Sequence, residues 1–250
     1  MLSLLSYDTG FSTNMPHEHP DIGTETLLRM SALDHYNDWI IEYIKPWIGD
    51  TVLEVGSGIG NISRYLLDRK RLILTDVKET YVDILRDTFG NRPNVSFELY
   101  NLEKSGSHLR NRGIDTIIAL NVLEHIQNDT HALREMASIL SPGGHIILQL
   151  PAHGILYGSL DHYLEHFRRY SIRDIRQKFD VCGIKTERFL RMNMFGAVGW
   201  FLYSRILKRK VLPKHSLGLF NVLAPVFMAI ERTLPLPFGL SIIAIGRKDI

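Results

Sequence analysis

Two acids, Glu54 and Asp76, mark the ends of two apolar runs, Thr51-Val52-Leu53-Glu54-Val55 and Leu72-Ile73-Leu74-Thr75, and glycines stand at 56, 58 and 60 between them. Three alternate positions without a Cβ let the chain turn sharply and lay backbone N–H groups against a ligand at the start of a helix predicted from Asn61. The second acid closes the next apolar run, where a strand can set a carboxylate beside a ribose diol. A pyrophosphate suits this corner poorly. Glu54, two residues before the first glycine, would repel it, and the third glycine of the dinucleotide fingerprint is replaced by Asn61.

A nucleoside bearing an ammonium group suits the corner well, since Glu54 can pair with the cation directly or through a water. S-adenosylmethionine is such a compound, with an amino acid head, a ribose, a sulfonium and no phosphate. The wider pattern resembles the class I S-adenosylmethionine-dependent methyltransferases, over about Tyr36 to Cys182. Its segments are Val52-Leu53-Glu54-Val55-Gly56-Ser57-Gly58-Ile59-Gly60, Leu74-Thr75-Asp76, Leu99-Tyr100-Asn101-Leu102, Ile114 through Ile126, and Leu140-Ser141-Pro142-Gly143-Gly144 leading into His145 through Pro151. The resemblance implies that Glu54 holds the methionine head and Asp76 the ribose diol. It places Gly56, Ser57, Gly58, Gly60, Asn61 and Val77 in the cofactor surface, Asn101 and Leu102 at the adenine, and Asn121, Val122 and Leu123 as a wall near the methyl. Asn101 stands where such enzymes often carry Asp, and its amide oxygen can still accept from the adenine amino group. The alternatives are a nicotinamide-dependent oxidoreductase, which Glu54, Asn61 and the 121–126 segment oppose, and a non-catalytic nucleotide-binding module.

A second concentration of reactive side chains runs from Tyr157 to Tyr170. In a doubly wound fold this loop lies over the carboxyl ends of the strands, where ligands bind. Tyr157, Tyr163, Arg168, Arg169 and Tyr170 suit an anionic or hydroxylated acceptor, and the stretch resembles the His-x-Arg-Arg-Tyr segment of bacterial methyltransferases of small-molecule, lipid or glycan pathways. The two arginines alternatively brace the loop by pairing with Asp161, Glu165 or Asp174. Methyl transfer from a sulfonium chiefly needs alignment. A weakly acidic hydroxyl also needs a base, for which His125, His153, His162 and His166 are the candidates; His125 has the alternative of capping its turn. His162 and His166 are four apart but lack the Glu of a zinc-protease helix. His17 and His19 lie between prolines and read as an extended lead-in. No metal is expected.

The positioning elements follow from periodicity. Apolar runs at 51–55, 71–75, 95–99, 114–120, 145–150, 186–190 and 240–245 alternate with helical patterns, predicting a doubly wound, mostly parallel, seven-stranded α/β sheet of Rossmann-like type with an antiparallel last strand. A helix is expected from Ala32 to Lys45, stopped by Pro46. Asp129 is the expected N-cap of a helix through Leu140, and Ser171 with Asp174 reads as a capping box.

The 250 residues, 45% hydrophobic, suit one domain, with 1–48 as an N-terminal lid or helical segment and 193–239 as a helical insertion before the last strand. The net charge of +2 makes no case for nucleic acid, and the single Cys182 rules out an internal disulfide. The first eight residues lack a basic leader, so a cytoplasmic enzyme is expected. The insertion offers Met194 through Leu207, the cations Lys208-Arg209-Lys210, and a second apolar stretch, Leu217 to Ile230. Neither stretch reaches the ~20 residues of a membrane span. Its possible roles are packing on its own core, a cover over the acceptor, a homodimer contact, or a peripheral element on the inner face of a membrane.

Overall fold

The computed structural model describes residues 22–31, 33–211, 213–234 and 237–249. His17, His19 and the apolar start of the chain lie outside the described residues, as do Ala32 and, within the insertion, positions 212, 235 and 236.

Seven strands form one sheet in the order β3-β2-β1-β4-β5-β7-β6. They are β1 (Thr51–Val55), β2 (Arg71–Asp76), β3 (Val95–Leu99), β4 (Thr116–Leu120), β5 (His145–Pro151), β6 (Ile184–Met192) and β7 (Ser241–Lys248). The first five pair in parallel, and β7 runs antiparallel between β5 and β6. Strand side chains alternate between faces, and here both faces are buried. Leu53, Ile73, Ile117, Ile146, Leu148, Ile242 and Ala244 belong to one core. Val52, Leu72, Leu74, Ile118, Ile147, Ile243 and Ile245 belong to the other. This is why the strands read in sequence as unbroken apolar runs rather than as alternating ones.

Helices cover both faces. α2 (Asp34–Ile44) buries Tyr36, Trp39, Ile40 and Ile44, and α3 (Glu79–Phe89) buries Tyr81, Val82, Leu85 and Phe89, each one helical stripe. Ahead of α2 stands α1 (Ile22–Ser31), so the helix expected from Ala32 begins at Asp34 as the second of two. α4 (Asp129–Ile139) is capped by Asn128, whose Oδ1 accepts from His131 N at 3.1 Å, and not by Asp129. The residue one step earlier already reaches the third amide of the helix, which frees Asp129 to turn inward. α5 (Ser159–Tyr163) is short. α6 (Ile172–Val181) carries the Ser171–Asp174 box, Ser171 Oγ accepting from Asp174 N at 3.2 Å and Asp174 Oδ2 from Ser171 N at 3.0 Å. Cys182, just after α6, is half-buried.

No α-helix follows the glycine turn. Residues 61–70 form only a 3₁₀ turn at Ser63–Tyr65. The Asn61 amide is tied to Leu27 O at 3.0 Å, the Ser63 hydroxyl reaches back to Glu54, and β2 begins at Arg71, which leaves no run of free residues for a longer helix.

Between β6 and β7 the chain builds α7 (Met194–Trp200), a π-helical continuation at Phe201–Ile206, and α8 (Lys214–Thr233). α8 is apolar on more than one side. Leu217, Phe220, Phe227 and Met228 pack on the core, whereas Leu219, Val222, Leu223 and Val226 are exposed. No described helix is long and apolar enough to cross a membrane.

Candidate active site

The carboxyl ends of β1, β2, β4 and β5 converge, and the acids of the sequence reading meet there. Ser57 N donates to Thr75 O at 2.9 Å and Thr75 N to Ser57 Oγ at 3.2 Å, which lashes the glycine turn to β2. That lashing brings Asp76 under the turn, where Oδ2 accepts from Gly58 N at 2.9 Å and Oδ1 from Lys78 N at 3.0 Å. Burial pushes the Asp76 carboxyl up from its ordinary range, against the pull of these backbone donors.

Glu54 shares a sheet face with Val52 and is buried, its Oε2 accepting from Ser63 Oγ at 2.5 Å. Burial raises its carboxyl to about 7, offset in part by the Ser63 and Ser57 hydroxyls. The buried acid is therefore poised to ionise when a cation arrives.

Gly56, Gly58 and Gly60 all have left-handed backbones, with φ of 71°, 55° and 89°. A Cβ on Gly56 would lie 2.6 Å from Val122 Cγ2, so the loop after β4 sits directly on the turn. The expected bare N–H cradle is only partly open. Gly56 is exposed, but Gly58 and Gly60 are buried beneath Leu27 of α1 and Phe89 of α3, and the Gly58 N–H is already taken by Asp76.

Other expected cofactor residues divide. Val77 exposes its apolar side chain at 58%, and Leu99, the register partner of Asp76 and not among the expected residues, exposes its own at 55%. Asn101 Oδ1 accepts from Glu103 N at 2.8 Å, so its oxygen is shared with a local turn. The side chains of Leu102 and Leu123 are buried in the core, not turned out to the surface. The cause is periodicity: each follows a strand end by a step that points it between sheet and helix. Asn121 and His153, at the ends of β4 and β5, both have left-handed backbones, a conformation costing about 1–2 kcal/mol for a residue with a Cβ and concentrated at functional corners.

The 157–170 loop is braced from within. Arg169 donates from Nε to Asp161 Oδ1 at 2.7 Å and from Nη1 to Ala152 O at 3.0 Å, with its guanidinium 4.8 Å from the Trp200 ring. Tyr170 donates to Asp129 Oδ2 at 2.9 Å. Both are buried, so neither Arg169 nor Tyr170 offers an acceptor-binding group as the sequence reading expected. The reason is a bridge: Tyr170 N donates to Pro151 O, and His153 N to Tyr170 O, which draws this pair onto the end of β5. Arg168 is half-buried, bound to Asp129 at 2.9 Å and Gln127 O at 2.7 Å. Tyr157 donates to His166 O at 2.6 Å, and Tyr163 is half-buried at the end of α5.

The four histidines do not form one group. His162 is exposed against Tyr157, with ring centroids 4.9 Å apart. His153 has an enclosed Nε2 without a partner, and its pKa is lowered by burial and by Arg191 and Arg169. His125 and His166 meet edge to face at 4.8 Å between centroids, and crowding around the ring together with His166 pushes His125 down to about 4. His166 Nδ1 lies 3.1 Å from Asp161 Oδ1.

The pairing of Arg169 with Asp161 is one that the sequence reading offered, while Glu124 escaped it. Asp161 is a fully buried hub, and Glu124, also fully buried, has both oxygens without a hydrogen-bond partner. The signal for Glu124 was present as an acid set among Val122, Leu123 and Ile126. A separate hollow lined by Asp50, Asp115, Gly143 and His145 lies at the opposite strand ends, where Asp115 is engaged by Asp50 N and Thr51 N.

A family model described as a methyltransferase domain matches residues 25–188. Among curated proteins, probable polyketide synthase 29 of Dictyostelium discoideum is 23% identical over 61% of this chain, which spans 6% of that protein's length. An S-adenosylmethionine-dependent methyltransferase from Mesorhizobium loti superposes with a TM-score of 0.62 at 14% identity, covering 86% of this chain and 100% of that one. A chain of the Haloferax volcanii complex with the Trm112 methyltransferase activator reaches 0.63 at 17%, covering 93% and 100%. The two solved structures share the seven-stranded, mostly parallel α/β fold, and the chain belongs to the methyltransferase-domain family, as a class I domain that uses S-adenosylmethionine.

Proposed function

We propose that the chain methylates a hydroxylated acceptor that is lipid- or glycan-linked, working on the cytoplasmic face of a membrane. The observation that carries this reading is the exposed stripe Leu219, Val222, Leu223 and Val226 on α8, joined by Val198, Phe201, Leu202 and Ile206 and flanked by the exposed cations Lys208, Arg209 and Lys210. Apolar side chains entering the acyl boundary with cations at anionic headgroups is the pattern of an interfacial helix. This surface is built onto the acceptor loop. Leu160 N donates to Ser204 Oγ at 3.2 Å, Ser159 Oγ to Ser204 O at 3.0 Å, Arg205 to Tyr157 O at 3.0 Å and Trp200 Nε1 to Asp161 Oδ2 at 3.3 Å. An acceptor carried by a lipid would thus arrive beside the residues that handle it.

In this reading Glu54 faces the methionine ammonium, Asp76 the ribose diol, and Val77 with Leu99 the adenine face. α1 is the lid, since Leu27 covers Gly58 and must lift for the cofactor to enter. A hydroxyl acceptor needs a proton taken away, and the unprotonated imidazole of His125, three residues beyond the Val122 that touches the turn, can receive it.

Two measurements test the reading. With vesicles containing anionic lipid the protein should co-sediment, and the double change Val222→Glu and Val226→Glu should abolish this; binding unaffected by those charges would refute membrane docking. With S-adenosylmethionine labelled in the methyl group and a membrane extract, label should enter the lipid fraction, whereas label confined to water-soluble products would rule out a lipid-linked acceptor. For the cofactor, Asp76→Ala should weaken S-adenosylhomocysteine binding by about 1–3 kcal/mol, roughly 5- to 150-fold in Kd. Calorimetry showing unchanged affinity would remove Asp76 from the ribose.

A further inference from the structure

We propose that Glu124, His125 and His166 form a divalent-cation site beside the methyl-transfer point. The ligand atoms of these three side chains all lie within 4.8 Å of one another, the one such group among the described residues. Metal–nitrogen and metal–oxygen lengths of ~2.1 Å put the ligand atoms of one ion about 3–4 Å apart. Side-chain rotation closing the group by about 1 Å is all that coordination requires.

The buried carboxylate supplies the strongest argument. Glu124 has no exposed surface, and neither oxygen has a hydrogen-bond partner. A buried polar group without a partner is costly and rare in native proteins. Arg169 favours the charge on Glu124 from a distance, but its side-chain bonds run from Nε to Asp161 and from Nη1 to Ala152 O, and it makes no hydrogen bond to either Glu124 oxygen. A cation would relieve the carboxylate.

His166 is oriented for this task. Its Nδ1 faces the Asp161 carboxylate at 3.1 Å, which leaves Nε2 for a metal. A carboxylate behind a ligating imidazole is the usual outer support of a metal-bound histidine, fixing the tautomer and the ring. Asp161 is itself held by Arg169, Gly158 N and Trp200, so the support is rigid. Phe167 N donates to Glu124 O at 2.8 Å and keeps the two ligand-bearing loops in step.

Two imidazoles and one carboxylate favour zinc, cobalt, iron or manganese over magnesium or calcium, which prefer all-oxygen shells. His125 is exposed, so positions on the cation stay open to solvent, as in a catalytic rather than a structural site. Resting on the methyltransferase reading, the site takes an acceptor hydroxyl as a further ligand and lowers its pKa. With its imidazole on the cation His125 no longer acts as the base, so the hydroxyl proton leaves to water and the oxygen attacks the sulfonium methyl. The O–CH₃ bond forms as the S–CH₃ bond breaks, and the cofactor departs as neutral S-adenosylhomocysteine.

The test uses tag-free, chelator-stripped full-length protein titrated with Co²⁺, followed by visible absorption, and with Zn²⁺, followed by calorimetry. One ion per chain is expected, with a cobalt spectrum of mixed nitrogen and oxygen ligation. Glu124→Gln and His166→Ala should each weaken binding roughly 10- to 100-fold, the range seen even for supporting residues, while S-adenosylhomocysteine affinity stays at the wild-type value. The Gln variant preserves shape, so a folding defect in the Ala variant does not obscure the result. Absence of saturable binding up to millimolar metal, or variants that bind like the wild type, overturns the site. Failure of S-adenosylhomocysteine to bind would instead overturn the methyltransferase reading, which the metal titrations do not touch.

Discussion

Asp161→Ala is expected to destabilise the protein by about 3–5 kcal/mol, the cost of leaving one member of a buried ion pair without its partner. The Asp161 carboxylate is fully buried and receives Arg169 Nε at 2.7 Å, His166 Nδ1 at 3.1 Å, Gly158 N at 3.0 Å and Trp200 Nε1 at 3.3 Å. Burial alone would raise this carboxyl, but His166 and Arg169 more than compensate and hold it below its ordinary value. Removing it strands the Arg169 guanidinium in the interior and cuts the link between the acceptor loop and α7. At 2–4 °C per kcal/mol for a chain of this size, Tm should fall by about 6–20 °C. The double change Asp161→Ala with Arg169→Met removes both charges and should recover part of the loss. A single variant melting within a degree or two of wild type would mean that the pair carries no weight in the fold.

Glu54 should make the ligand-free protein less stable as pH rises. Its folded carboxyl titrates at about 7 against an ordinary 4.5, because burial penalises the charged form more than Ser63 and Ser57 favour it. Between those values the folded chain holds a proton that the unfolded chain has released. Fewer protons on the unfolded state make the slope of unfolding free energy with pH negative. Stability from this group is thus complete below about pH 4.5 and lost as pH climbs through 7, a change of about 3 kcal/mol. Other groups titrate in the same window, so the quantity to measure is the difference between wild type and Glu54→Gln in urea unfolding at successive pH values. The difference should decline across this range, and saturating S-adenosylhomocysteine should flatten it by giving the ionised carboxylate an ammonium partner. A level difference curve without ligand would show that Glu54 ionises as freely as a surface acid.

Periodic and local signals are legible in a chain because neighbouring residues carry them. The apolar runs of β1, β2, β4 and β5 announced a parallel sheet covered on both faces, since no polar residue was needed on either side. The Ser171–Asp174 box could be read because both bonds are closed within four residues. The meeting of the glycine turn with Asp76 was legible because β1 and β2 are adjacent parallel strands whose carboxyl ends lie together.

What stayed hidden depended on distant segments meeting. Arg169 and Tyr170 have the composition of an acceptor-binding pair, yet bridging to the end of β5 turns both inward. Leu102 and Leu123 stand in the motifs read as cofactor-facing, with side chains that belong to the core. The turn at Ser63–Tyr65 replaced an expected helix because Glu54 and Leu27 claim its polar groups.

The amino-acid sequence by itself determined the sheet, the glycine corner and the two acids that flank it, since hydrophobic period and backbone permissiveness are properties of short stretches. Only the tertiary structure decided that Glu124 and His125, after β4, would face His166, beyond β5, with Asp161 behind it. That grouping arises where two loops converge over one end of a sheet, and spacing along a chain does not encode which loops will touch.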